Sequence, residues 1–353
     1  MITKISLLNF RKFSKKTVDI KNKFVVITGD NATGKTTLLE AIYVASVTKS
    51  LRTNNINELI KDEEEYSLVE IEANSRKYKF TFKDKTKKVS IDNKEINKIS
   101  DYIGNLPSVF FTPSELVLIN GSPQNRRLFL NIELSQLFSK YVNYLSEYNK
   151  LLKERNAYLK TKKIDNIYLN LITEKLCEES LKIMKIRKLF IEDINNTINT
   201  IHSQFSKDEE IKLEYVNSLP FDNTYKYMVE RSSKDIQFEN TNHGVHRDDV
   251  IFYINNKDAK VYASQGQRRS IVLSLKISLC LLIQKYKRKF PILLLDDVLS
   301  ELDVTRQNNL LKIILNLGQT FISVTNIDLN DLEVLNNYQE LKLESELIDN
   351  GKK

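Results

Sequence analysis

Short runs of alternating apolar and polar residues fill the first third of the chain, the period of strands with one buried face. They predict strands at 2–8, 16–20 and 24–28, the last apolar throughout, and a helix at 35–47. Alternating runs at 66–72, 77–82 and 88–91, separated by turn residues, read as an antiparallel meander, and a further strand ends near Pro113. Beyond Pro123 the period changes. Leu134, Leu137, Tyr141, Leu145, Tyr148, Leu152, Arg155 and Leu159 recur at steps of three and four, a heptad-like seam. A polar break at 161–166 separates this helix from a second helical stretch, 167 to about 205. Two helices joined by a short turn read as an antiparallel hairpin. The first, about 26 residues, would extend about 39 Å at 1.5 Å per residue. The hairpin reads as a compact helical arm in preference to a long free coiled coil; an ordinary helical subdomain packed on the core is the plainer alternative.

The last third returns to mixed patterning. Strands are predicted at 213–216, 250–254, 292–295 and 320–324, and helices at 267–286 and 304–315. The first of these helices is strongly apolar, yet Lys276 and the stripe Ser270, Ser274, Ser278 fit burial in protein and not in lipid. The expected organisation is an α/β head built from 1–112 and 207–353, with a β meander at about 64–92, and a helical arm domain at 113–206. The tail at 350–353 is expected to fray.

Composition narrows the classes. At 353 residues, 41% hydrophobic and 28% charged, the chain can bury a sizeable core. It has no run of eighteen or more uncharged apolar residues and no signal-like apolar segment near its first residue. Two cysteines, Cys177 and Cys280, and three histidines leave little for a disulfide scaffold or a Cys/His metal centre. A reduced, cytoplasmic protein with no membrane association is expected. The net charge of +8 favours polyanion partners, although lysine-rich usage accounts for it equally. Basic stretches at 76–88, 182–188 and 285–289 are either solvated faces or contacts to a phosphate backbone.

Glycine is scarce, eight in all, and its placement carries chemistry. The apolar strand at 24–28 runs directly into Gly29-Asp30-Asn31-Ala32-Thr33-Gly34-Lys35-Thr36, followed by Thr37 and an apolar helix. Strand, G-x-x-x-x-G-K-T loop and helix form the context of a phosphate-binding loop. Gly29 and Gly34 let the loop wrap so that Asp30, Asn31, Ala32, Thr33 and Thr37 can offer backbone N–H groups to phosphate oxygens at a helix start. Lys35 reaches the terminal phosphates as a catalytic cation, and the Thr36 hydroxyl is a Mg²⁺ ligand. ATP with Mg²⁺ is the expected ligand.

A second motif answers the first. The continuous aliphatic run 291–295 fits a central parallel strand, and Asp296 and Asp297 stand at its carboxyl end, where α/β sheets bind ligands. Asp296 is placed for the Mg²⁺ shell, and Asp297 to orient or deprotonate the attacking water. From 36 to 296 the motifs lie 260 positions apart. Nucleotide kinases and small switches keep them much closer, so the large insertion is itself a class signal.

A third turn, Ser264-Gln265-Gly266-Gln267-Arg268-Arg269, opens the apolar helix. Ser264 can cap it, and Gly266 permits close backbone approach to an anion; taken alone, the turn reads first as an ordinary N-cap with basic surface residues. With 292–297 and Ser300-Glu301-Leu302-Asp303 it resembles the signature and D-loop of ATP-binding-cassette ATPases. The segments LLNFRKF (7–13), GSPQNRR (121–127), HGVHRDD (243–249), SQGQRR and LLLDDVLSELD together resemble the RecF family, relatives of SMC ATPase heads. The resemblance covers nearly the whole chain in order. Val245 stands where that family usually has proline.

The resemblance implies an SMC-head-like α/β fold with an antiparallel β subdomain and an inserted helical arm. It implies a weak, DNA-stimulated ATPase that dimerises on ATP. Ser264, Gly266 and Gln267 of one copy would reach the γ-phosphate held by the other, with Asp303 on the opposing face. Partners would be double-stranded and junction DNA and a RecR-like mediator, in recombinational repair and fork restart. Arg11 would approach nucleotide or DNA, or be a surface arginine, and His246 to Asp249 would form a nucleotide-linked face or a structural polar cluster. Asp297 in place of the usual glutamate, and no histidine at 324–326, imply slow hydrolysis.

Overall fold

The structure, a computed structural model, describes residues 1–53, 55–84, 86–325 and 337–344. In chain order the strands are β1 (Ile2–Phe10), β2 (Phe13–Asp19), β3 (Phe24–Thr28), β4 (Tyr66–Ala73), β5 (Arg76–Lys83), β6 (Thr86–Ile91), β7 (Lys94–Glu95), β8 (Ser108–Phe111), β9 (Ile211–Val216), β10 (Asp249–Ile254), β11 (Lys257–Asp258), β12 (Ile292–Asp296), β13 (Thr320–Ser323) and β14 (Gln339–Lys342). The helices are α1 (Lys35–Val47), α2 (Ile99–Tyr102), α3 (Val117–Asn120), α4 (Pro123–Leu137), α5 (Ser139–Leu159), α6 (Asn166–His202), α7 (Thr224–Glu230), α8 (Ser232–Gln237), α9 (Ala259–Tyr262), α10 (Gln265–Lys287) and α11 (Val304–Ile314).

Two compact units result, 1–115 with 276–353, and 116–275. In the first, a five-stranded sheet runs in the order β14-β3-β13-β12-β8 with every neighbour parallel. The β12 strand is buried at all five positions, as a strand covered on both faces must be. A six-stranded antiparallel sheet, β2-β1-β4-β5-β6-β7, joins the expected meander to the first two strands. Between the sheets lies α1, whose residues contact β12, β8 and β13 on one side and β4, β5 and β1 on the other. That explains why it is apolar all round: twelve of its thirteen residues are buried.

The second unit holds the helices and an antiparallel sheet, β11-β10-β9. The α5–α6 hairpin forms as expected, but the first arm helix is two helices. Phe138 has an extended backbone (φ −131°, ψ 106°) and caps both α4 and α5. No glycine or proline marks the break, and it leaves the three- and four-residue spacing unchanged, so periodicity passes over it. Leu134, Leu137, Tyr141, Tyr148, Arg155 and Leu159 of the seam are buried, whereas Leu151 takes the buried place expected of Leu152.

The second boundary moves as well. Residues 207–275, expected with the head, belong to the helical unit. Side chains tie them there: Asn195 of α6 exchanges two 2.8 Å hydrogen bonds with the Leu213 backbone of β9, Arg155 of α5 pairs with Asp235 at 2.8 Å, and Arg187 of α6 pairs with Asp248 at 2.7 Å. Among the described residues no helix is long and apolar enough to cross a membrane.

Candidate nucleotide site

The chain leaves β3 into a loop that only glycine can turn. Gly29 has φ +140°, and a Cβ there would lie 2.3 Å from the Leu343 carbonyl oxygen; Gly34 has φ +105°, with Lys12 Cε at 2.5 Å from its would-be Cβ. Ala32 is also left-handed, at +63°. Thr33 closes the loop through its hydroxyl, which donates to the Asp30 carbonyl at 2.9 Å. The buried Lys35 folds back over the loop and donates to the carbonyls of Gly29 at 2.5 Å and Asp30 at 2.9 Å. Its ammonium is thereby fixed inside the loop's curve. Gly34 caps α1 without a side chain, which leaves the first-turn N–H groups, Thr36 and Thr37 among them, free for an anion. Asp30 and Asn31 are exposed on the rim.

Parallel pairing of β3, β13 and β12 brings the distant acids to this helix start. The Thr36 hydroxyl donates to both Asp296 oxygens, at 2.8 and 3.0 Å, and closes the 260-residue gap directly. Ser323, at the end of β13, donates to Asp296 at 2.7 Å and accepts from the Asp297 amide at 2.9 Å. Burial raises the Asp296 carboxyl above its ordinary value; the Ser323 and Thr36 hydrogen bonds oppose that, and neighbouring Asp297 adds to it. Asp297 is left-handed (φ +51°), and its Oδ1 is buried with no hydrogen-bond partner. A threonine hydroxyl, a carboxylate beside it and an unpaired carboxylate oxygen are hard oxygen donors suited to Mg²⁺ and a water. The described residues contain no cluster of three or more acidic, His or Cys side chains able to hold a metal by themselves.

Arg11 is tied to α1. Its guanidinium grips Glu40 of α1 at 2.6 and 2.8 Å, and Glu40, fully buried, also takes Arg52 at 3.1 Å and Ser50 at 2.5 Å. Sequence reading missed this network. A lone acid in the apolar run TLLEAIYVAS was the available signal, because a buried carboxylate needs cations. Ser323 and Lys12, which donates to the Ala32 carbonyl, were missed too. Asp303 caps α11, its side chain accepting from the Arg306 amide at 2.9 Å. Asn326 lies outside the described residues.

In the second unit the signature turn is a closed capping box. The Ser264 amide donates to the Gln267 side chain at 2.8 Å, and the Gln267 amide to the Ser264 hydroxyl at 3.2 Å. The same Gln267 side chain donates to Glu209 at 3.0 Å. Gly266 is exposed, and a Cβ built on it meets nothing within 4 Å. The HGVHRDD segment is a hydrogen-bonded cluster. His246 receives the Tyr148 hydroxyl on Nδ1 at 2.5 Å and donates from Nε2 to the Thr241 carbonyl at 3.0 Å, a neutral tautomer whose pKa burial pushes down. Asp248 is fully buried against Arg187, and Arg126 of the GSPQNRR segment holds Asp249 at 2.7 and 2.9 Å. Of the basic stretches, the first is largely matched across strands: Lys77 and Lys79 with Glu70, Lys83 with Glu65, and Arg76 with Asp92.

The RecF/RecN/SMC N terminal domain family matches residues 1–345. The DNA replication and repair protein RecF of Bacillus velezensis is 38% identical over 98% of both chains, and that of Acholeplasma laidlawii is 39% identical over 92% of this chain and 93% of the relative. A solved structure of the recombination mediator protein RecF with ATP in the RecFOR pathway aligns over 93% of this chain and 92% of that one, at 30% identity and a TM-score of 0.86. An Smc head bound to the C-winged helix domain of ScpA shares the fold alone, at 15% identity and a TM-score of 0.55. The chain belongs to the RecF family.

Proposed function

We propose that this protein is an ATP-dependent DNA-binding protein of recombinational repair and replication-fork restart. It binds Mg-ATP, dimerises on it, and hydrolyses it slowly with stimulation by DNA. The observation that carries the reading is the Thr36–Asp296–Ser323–Asp297 chain at the mouth of the phosphate loop, with one buried acid oxygen left unpaired. Gly29 to Thr37 cradle the phosphates, and Lys35 turns from loop carbonyls toward phosphate oxygens. Thr36 and Asp296 would hold Mg²⁺, which would neutralise charge on the phosphates. Asp297 orients a water and takes its proton, within a site preorganised by Ser323. One methylene shorter than glutamate, its carboxylate reaches less far. Turnover below about 10 s⁻¹, the median enzyme value, is expected.

The solved relatives named with ATP and with the RecFOR pathway support nucleotide binding and a role beside a RecR-like mediator; gapped and junction DNA and a cytoplasmic location complete the proposal. Ser264, Gly266 and Gln267 serve the nucleotide of a second copy, with Asp303 on the facing surface. Support comes from the exposure of Gly266 and the open space over it. Sizing wild type and Lys35→Met with and without ATP tests the reading. ATP-dependent dimers lost in the variant are expected; a monomer under all conditions overturns it.

A further inference from the structure

The first unit carries a partly open cavity of about 220 Å³ at the end of the parallel sheet away from the phosphate loop. Residues immediately before four parallel strands wall it: Lys23 before β3, Pro107 before β8, Pro291 before β12 and Gln319 before β13. The wall is rigid. A Cβ on Gly318 would lie 2.3 Å from the Pro291 carbonyl oxygen, so that turn is pressed onto its neighbour. The Gln319 amide is fully committed: it donates to the carbonyls of Ile2 at 3.0 Å and Asn22 at 3.2 Å, and accepts from the Ile2 amide at 2.6 Å.

The charge of this cavity is one-sided. Lys23, Lys289, Asn74 and Asn105 line it, and no carboxylate does among the described residues. Lys289 donates to the Asn105 carbonyl at 2.5 Å and Lys23 to the Leu315 carbonyl at 3.1 Å, which orients each ammonium and leaves further N–H donors on both. Burial, then Lys287 and Arg76, hold the Lys289 ammonium below its ordinary pKa. Asp92, at 3.2 Å, neutralises Arg76 alone. Lysines lining a cavity without a counter-charge favour an anion, and the Asn74 side-chain amide adds a neutral donor beside them, while the Asn105 amide is spent on the Asp101 and Tyr102 carbonyls. The volume is small beside the roughly 300–1,000 Å³ of cofactor pockets, which selects a compact group.

We propose that this cavity binds a phosphate group through Lys23 and Lys289, at a site separate from the nucleotide site. The phosphate is either a small free phosphate compound or a backbone phosphate of DNA. The test uses the full chain carrying Lys35→Ala, so that the phosphate loop is weakened. Inorganic phosphate is expected to raise the melting temperature saturably, by about 2–4 °C at saturation, where sodium chloride of equal ionic strength does not. Adding Lys23→Ala and Lys289→Ala should abolish the shift, and Lys23→Arg with Lys289→Arg should keep it. Equal shifts with phosphate and chloride, or a full phosphate shift in the alanine variant, overturn the proposal. Short-duplex binding identifies the source. A loss of about three-fold or more in the alanine variant, beyond that in Lys150→Ala with Lys153→Ala, assigns a DNA phosphate. Unchanged duplex affinity, with the phosphate shift lost, assigns a free compound.

Discussion

Ser323 separates the roles of two adjacent acids. Its hydroxyl is spent on Asp296, and its oxygen holds the Asp297 amide, so the Asp297 carboxylate is aimed but unpaired. Asp297→Asn keeps the shape and the left-handed backbone, which asparagine tolerates, and removes the base. Single-turnover hydrolysis should fall about 10²- to 10⁴-fold while ATP-induced dimers persist; turnover within three-fold of wild type would exclude Asp297 as the base. Asp296 answers to pH. Its folded value lies above the ordinary 3.8, chiefly through burial, so its contribution to stability is full below the unfolded value and is lost as pH rises through the folded one. Near neutral pH the ionised carboxylate is therefore a cost. Asp296→Asn should raise protomer stability more at pH 7 than near pH 4, and abolish Mg-ATP turnover. Thermal melts at the two pH values check the sign, and a variant less stable at pH 7 contradicts it.

Single elements are held by the same device, one buried charge met by several partners. Arg187 of α6 bonds Asp248 and the Val245 carbonyl, each at 2.7 Å, and Asn131 and Tyr141 at 3.1 Å; Asp248 also accepts from Tyr215 and from the Ser218 amide. Asp248→Ala strands the guanidinium and should cost about 3–5 kcal/mol in urea unfolding, part of it recovered by Arg187→Met with Asp248→Leu. A loss under 1 kcal/mol would mean that the helix does not depend on the pair. The sequence presents Arg187 within a basic stretch, a solvated face or a phosphate contact, because composition cannot distinguish a lysine face from one arginine turned inward. Strand β14 escaped for a related reason: QELK is polar and borders one edge of its sheet, so no apolar run announces it. Elements whose own pattern carries their burial, β3, α1, β12 and the α5–α6 hairpin, were legible. Within the site, the phosphate loop was legible because its backbone demands glycine at fixed spacing. Glu40 and Ser323 were not, since their roles come from residues brought near only by folding.

For the whole molecule, Gly266 poses the sharpest question. Glycine within a helix costs stability relative to alanine, and here nothing within 4 Å would meet a side chain. Its neighbours already satisfy the helix start through the Ser264–Gln267 box, so the protomer itself has no use for a missing Cβ. On the proposed reading, the need for glycine comes from outside the protomer, from a second copy carrying a triphosphate. Gly266→Gln should leave the melting temperature of the protomer unchanged or slightly raised, and leave ATP affinity within about three-fold, because the phosphate loop is untouched. ATP-dependent association should be lost at concentrations where wild type is fully dimeric. Sedimentation velocity with and without ATP, beside a thermal melt, distinguishes the cases. A destabilised monomer would place the need for glycine inside the protomer, and a variant that dimerises like wild type would remove this turn from the interface. Dimers lost from an intact, ATP-binding protomer would locate the contact at this helix start.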